Sequence, residues 1–537
     1  MQLQAGLLGR EAALWFGGRP ALTAVRGSET VASYTFGELN EAANRIGSGL
    51  LELGVRRGDR VGVLAHNVPE VVEAWLGLEK HNLVRTTLHS HFDADVHVAT
   101  LNEIRASALL FDTRFSGAIA AVRNRLTTTK HLIAIGPDVP DWAVAYADVA
   151  ALGHANEAEL DVDEDALCFL QPTSGTTGRP KLWTASYRSW HAFVSHNLHH
   201  LDTFGPDTPP VRSDDVNLHF HALQWASGAQ TLYPYLIRGA RSVLLDDADF
   251  DPAVVVDTML REGVTATLAP APLWGPVLDV IESRGGIDHR LRRVVVLFCD
   301  PQILDRTTRL LGAVWAHGFG STEQGASATR LLPSDLAGHP DRIGSVGRPG
   351  SPFFEISIKD PVGNSLGLNQ TGEICVRSAM SLGQYWEQPE TTAAARFPGG
   401  WFRSDDVGYL DADGFLYYSD RAGDTIITPG GAVYPHLVEA ALASHPAVRL
   451  SGVVGDSADS CPSITAFIQL KEGRSPSEHL AQEILATARG TLAEHELPAR
   501  IEFVAELPTV LGGAKVQRAA LRSQLAGIDD DANRGRA

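Results

Sequence analysis

Apolar positions in the N-terminal part of the chain fall into two alternating periods. Across residues 34–63, Leu39, Ala43, Ile46, Leu50 and Leu53 recur at three- and four-residue spacing, which predicts a helix with one buried stripe. Gly54 can end that helix, Gly58-Asp59 makes a turn, and Val61-Gly62-Val63-Leu64 starts a strand. A second helix is predicted from Asn67 to Lys80, with Val71, Val72, Trp75 and Leu78 facing inward. Leu109-Leu110-Phe111 and Leu132-Ile133-Ala134-Ile135 read as short strands, and the runs 243–247, 264–268 and 294–298 repeat them further on. Strands separated by helices predict parallel, doubly wound sheets in two lobes, an α/β fold class.

The pattern changes after residue 370. Gly372-Glu373-Ile374-Cys375-Val376 alternates as a strand among turns. Beyond residue 424, Val438, Ala441, Leu442 and Val448 predict one helix, residues 464–468 a strand, and residues 480–492 another helix. These shifts predict a large domain over residues 1–420, a small α+β domain over 421–525, and a disordered tail over 526–537.

A length of 537 residues exceeds one core and predicts two to four domains. Hydrophobic content of 44% with 20% charged residues is that of a globular protein. A net charge of −19 disfavours nucleic acid or an anionic membrane as the partner, so any polyphosphate site must gather positive charge locally. Cys168, Cys299, Cys375 and Cys461 lie far apart without ligand spacing, which predicts neither a disulfide framework nor structural zinc. No run approaches a membrane span or a leader segment, so the expected location is the cytoplasm.

The densest chemistry is Thr173-Ser174-Gly175-Thr176-Thr177-Gly178-Arg179-Pro180-Lys181, directly after the apolar run 166–170. Glycines let backbone N–H groups approach an oxyanion, hydroxyls add neutral donors, and cations offset phosphate charge, so the loop suits a polyphosphate. It is not a P-loop. The order is GxxGxxK, a proline precedes the lysine, and leucine follows where the metal-binding hydroxyl belongs. Lysines are scarce, six in all, which gives weight to Lys181 and Lys515. His196, His199 and His200 share one helical face, but no carboxylate accompanies them at ligand spacing. They are expected to be ordinary exposed histidines.

The nine-residue loop resembles the signature of the adenylate-forming superfamily, which includes acyl-CoA synthetases, peptide-synthetase adenylation domains and luciferases. Further segments resemble that family in order: TFGEL…GVRRGDRV near the start, Phe319-Gly320-Ser321-Thr322-Glu323, Trp401 to Gly408, Asp420-Arg421, and Leu507 to Arg518. The resemblance covers roughly residues 30 to 525 and implies a large domain of doubly wound lobes with a small β-barrel lobe, then a mobile C-terminal lid. It implies that ATP is bound by the loop together with Phe319, Gly320, Ser321, Thr322, Asp406 on the ribose, and Arg421. It also implies that Glu323 holds Mg²⁺, that Lys181 helps to hold the leaving pyrophosphate, and that Thr322 and Lys515 stabilise the α-phosphoryl transition state.

The implied reaction is attack of an acid's oxygen on the α-phosphorus, giving an acyl-adenylate and pyrophosphate, then transfer to coenzyme A. His221 falls in the family's acyl-gating segment, and His221, Trp225, Phe298 and Cys299 are candidates for an aromatic-sized acid pocket. Phe298-Cys299-Asp300 replaces the family's small residues beside adenine, and Asp405, Asp420 and Gly423 also depart from its pattern. Three readings stay open: an acid–CoA ligase, an enzyme adenylating a small oxyacid such as nitrite for an aryl amine, and a non-catalytic nucleotide-binding relative. The expected assembly is a monomer or homodimer.

Overall fold

The computed structural model describes residues 1–173, 180–455, 463–510 and 515–525. Contacts group the chain into two units. One contains residues 1–343, 347–355 and 376–402, and the other residues 344–346, 356–375 and 403 onward.

The first unit is built on two seven-stranded sheets. In one, Arg60–Leu64 lies between Val84–Thr87 and Ala108–Asp112, followed outward by His131–Ile135 and Val144–Ala145, all parallel. An antiparallel hairpin, Leu167–Pro172 with Leu182–Ser186, completes its other edge. In the second sheet Trp315–His317, Arg293–Leu297, Ala266–Pro270, Val216–His219, Arg241–Leu245 and Pro20–Arg26 run parallel, with Glu29–Thr35 antiparallel at the edge. Parallel strands need crossovers that cover both faces, and their near-continuous apolar runs follow from burial on both sides.

The predicted stripe is the buried face of the helix Phe36–Glu52, where Leu39, Ala43, Ile46 and Leu50 are at most 2% exposed. Its start is fixed by a capping box: Thr35 accepts from the Glu38 N–H while Glu38 returns a bond to the Thr35 N–H. The helix Pro69–Lys80 begins on a proline, needs no donor there, and is buried on all sides. No helix among the described residues is long and apolar enough to cross a membrane.

From Arg403 onward the second unit carries most of the hairpin Trp401–Leu410 with Leu416–Arg421, in which Asp406 faces Arg421 across the strands. The strand path Glu355–Lys359, Gly372–Arg377, Trp401–Leu410, Leu416–Arg421 is open among the described residues and does not close into a barrel. Further on, Pro435–Ala443 and Glu478–Ala488 pack on Val448–Gly455, Ile464–Leu470 and Arg500–Val504 around Val438, Leu442, Val453, Ile468 and Ile484. Val448 opens a strand instead of extending the helix, because His445-Pro446 stops the helix at Ala443. The expected tail, residues 526–537, lies outside the described residues.

Candidate functional site

The signature loop is the tip of an antiparallel hairpin. Pro172 faces Leu182, Gln171 faces Trp183, and the Thr173 N–H donates to the Lys181 carbonyl at 2.8 Å, so both ends of the loop are pinned together. Strand follows loop here where a P-loop would lead into a helix. Ser174, Gly175, Thr176, Thr177, Gly178 and Arg179 lie outside the described residues.

Lys181 is held by an aromatic face. Its Nζ stands 4.9 Å from the centre of the Tyr385 ring, and the Tyr385 hydroxyl donates to Glu323 Oε1 at 3.1 Å. One tyrosine therefore joins the lysine of the first motif to the glutamate of the second, 142 positions away. Tyr385 is placed by the hairpin itself: it bridges Trp183, the Thr184 N–H donates to the Gln384 carbonyl, and the Trp386 N–H donates to the Leu182 carbonyl. Trp183 meets the Tyr385 ring edge-on at 5.1 Å. Gly383 permits this closeness, since a Cβ there would fall 2.2 Å from the Thr184 carbonyl oxygen.

The second motif turns back on itself. Gly320 and Ser321 pair with Ser327 and Ala326, and the Phe319 N–H donates to Thr329 Oγ1 at 2.9 Å. Gly325 closes the turn at φ 82°, and a Cβ there would strike Met380 at 2.4 Å. Phe319 is buried, Gly320 is exposed, and Ser321 Oγ is buried with no partner among the described residues. Thr322 and Gly325 line a cavity together with Gln171, Trp183, Ser189 and Met380.

Of the four acid-pocket candidates, none lines that cavity. His221 and Trp225 stand just before the helix Ala226–Ile237, whose Ala226 and Ala229 do line it. His221 Nε2 is 3.2 Å from Ser227 Oγ, and Trp225 stacks on His91 at 5.1 Å. Burial pushes the His221 imidazolium down to about 4, so the ring is neutral near pH 7. Phe298 is 59% exposed at φ 53°, and Cys299 Sγ lies 3.2 Å from His317 Nδ1. Burial raises the Cys299 thiol, which therefore stays protonated and is no nucleophile. Asp300, a departure from the family pattern, caps the helix Pro301–Leu311 by accepting from the Ile303 N–H at 2.9 Å.

The histidines of the helix Tyr187–Asp202 are not the exposed ones expected. His196 and His200 are buried with rings 4.1 Å apart, and His196 Nε2 donates to the Ser327 carbonyl at 2.8 Å. The helix also buries Trp190, Phe193 and Leu201, so it has core on more than one side.

In the second unit Asp406 is 4% exposed and pairs with Arg421 Nε at 3.0 Å. Arg421 also donates to the Ser404 carbonyl, and the Asp406 N–H donates to Ser404 Oγ. The two residues assigned to the nucleotide from separate motifs are thus cross-strand neighbours. Asp420 is fully buried; it accepts from the His436 and Arg421 N–H groups and pairs with Arg518 Nη1 at 3.3 Å. Arg518 further meets Asp424 at 3.0 Å and Glu439 at 2.7 Å. Lys515 faces Val510 in a short antiparallel pair; its side chain lies outside the described residues.

Residues 10–386 match the model of the AMP-binding enzyme family, and residues 437–511 match that of the AMP-binding enzyme C-terminal domain. The chain is 32% identical to a 2-succinylbenzoate–CoA ligase of Geobacillus kaustophilus, over 88% of this chain and 90% of that one. It is 28% identical to a 3-methylmercaptopropionyl-CoA ligase of Ruegeria lacuscaerulensis, over 94% of each. The crystal structure of the anthranilate CoA ligase AuaEII with anthranoyl-AMP superposes with a TM-score of 0.87 at 25% identity, covering 98% of both chains.

Proposed function

From the premise that the chain belongs to the AMP-binding enzyme family and is an adenylate-forming ligase, we propose that it activates a carboxylic acid with ATP and passes the acyl group to coenzyme A. The observation that carries this reading is the Lys181–Tyr385–Glu323 contact, which gathers a cation and a carboxylate from two distant motifs at one point.

In the adenylation step a carboxylate oxygen of the acid attacks the α-phosphorus of ATP, and the bond to the bridging oxygen of pyrophosphate breaks. Lys181 offsets charge on the leaving pyrophosphate, and the Thr322 hydroxyl donates to the α-phosphoryl oxygens as charge builds there. Lys515 stabilises the same phosphoryl group, and Asp406 accepts from the ribose hydroxyls with Arg421 fixing its orientation. Glu323 suits Mg²⁺, because it offers carboxylate oxygen with one atom already oriented by a phenol. That ion would neutralise phosphate charge. Coenzyme A thiolate attack on the acyl carbonyl then releases AMP.

The test is acid-dependent exchange of labelled pyrophosphate into ATP over aryl, fatty and small oxyacids, with and without coenzyme A. Exchange with a carboxylic acid and thioester formation supports the proposal. Exchange without thioester removes the second step, and exchange with nitrite alone replaces the substrate class.

A further inference from the structure

The cavity beside Thr322 has a guanidinium in its wall. Arg85, in the strand Val84–Thr87, is 6% exposed and lines the cavity with Gln171, Ser189, Ala226 and Ala229. Its Cζ sits 4.0 Å from the centre of the Trp75 ring, 4.9 Å from Phe169 and 5.5 Å from Trp190. Among the described residues no hydrogen bond or ion pair reaches it, although a guanidinium carries five N–H donors.

Taking such a cation out of water costs several kcal/mol, and aromatic faces return about 2 kcal/mol. The remainder calls for a negative charge. Glu79 is the nearby candidate, but its Oε2 accepts from Trp190 Nε1 at 3.2 Å and burial pushes its carboxyl up to about 7. Near neutral pH the carboxyl is therefore partly protonated and leaves the Arg85 charge incompletely balanced. Gln171 has its own partners, since its Nε2 donates to the Gln224 carbonyl at 2.9 Å and its Oε1 accepts from Thr87. The guanidinium thus keeps donors whose fork matches a carboxylate in two places.

Resting on the adenylation reading above, we propose that this cavity holds the acid substrate and that Arg85 binds a second carboxylate of it, making the enzyme selective for dicarboxylic acids. The carboxylate to be activated lies at Thr322, on the same cavity wall.

Pyrophosphate exchange is measured for matched acids: glutarate against valerate, adipate against hexanoate, and terephthalate against benzoate. Wild type is expected to favour at least one diacid over its partner by about tenfold or more in kcat/KM. Arg85→Gln should lower diacid turnover about 100-fold, leave the matched monoacid within about threefold, and leave the KM for ATP unchanged; Arg85→Lys should restore only part, lacking the fork. Equal use of diacid and monoacid by wild type, or equal losses for both in Arg85→Gln, overturns the assignment while adenylation stands. Absence of exchange with every acid overturns the proposed function beneath it.

Discussion

Two largely buried arginines, one in each unit, are held in opposite ways. Arg518 is surrounded by the carboxylates of Asp420, Asp424 and Glu439 at 2.7–3.3 Å. Arg85 rests on three aromatic faces and has no carboxylate within ion-pair distance among the described residues. Lys181, beside the Tyr385 ring, resembles Arg85 in this respect. A cation saturated by fixed carboxylates has nothing left to offer a ligand and serves as a fastener. One supported by π-faces keeps its N–H donors, because the attraction falls on the ring side only. Asp420 and Asp424 belong to the fastener, which explains why an aspartate stands at a position where the family carries glycine.

The largest expected effect breaks the saturated case. Arg518→Ala leaves the buried Asp420 and the partly buried Glu439 without their counter-ion, and breaking one side of such a network destabilises by about 3–5 kcal/mol. Hydrogen exchange in Val448–Gly455 and Ile464–Leu470 of the intact protein should accelerate accordingly. Arg85→Met should cost about 1 kcal/mol or less, since Glu79 can take up a proton and the methionine fills the aromatic box. Equal destabilisation by the two substitutions would erase the distinction between fastener and free donor set.

Next in size is Tyr385, which tests whether a π-held cation depends on its support. Tyr385→Phe keeps the ring face toward Lys181 and removes the hydroxyl that orients Glu323. A lost hydrogen bond to a charged group predicts about a tenfold fall in kcat/KM for ATP in pyrophosphate exchange. Tyr385→Leu, which removes the face as well, should fall about tenfold further. If Phe and Leu behave alike, the ring contributes nothing to positioning Lys181.

Much of this arrangement could be read from residue order. The signature loop, the FGSTE segment and Asp406 with Arg421 carry side chains whose chemistry is evident in one dimension, and the alternation of periods predicted the parallel sheets. Tyr385 was not legible: Gln384-Tyr385-Trp386 has no periodicity, and its position depends on pairing with a hairpin 200 residues earlier. Arg518 was missed because its partners lie 79–98 positions away. Two signals were present and overlooked. An arginine inside the buried run 83–88 implied a special environment, and Pro446 forbade the helix from reaching Val448. The burial of His196 and His200 depends on which helices flank theirs, which spacing along one helix does not encode.

The smallest effect concerns pH and tests the ionisation of Glu79, whose carboxyl burial raises as it also raises that of Glu439 beside Arg518. Burial raises the folded-state Glu79 carboxyl from 4.5 to about 7, so between those values the folded chain holds a proton that the unfolded chain has lost. For this group stability is fully present below about pH 4.5 and declines as pH rises through 7. Glu79→Gln keeps the bond from Trp190 through the amide oxygen and cannot ionise. Melting temperature measured from pH 5 to 8 should therefore fall less steeply in Glu79→Gln than in wild type. If wild type and variant show parallel profiles, Glu79 is ionised throughout and balances Arg85 after all, and the cation in the cavity wall would need no anionic ligand.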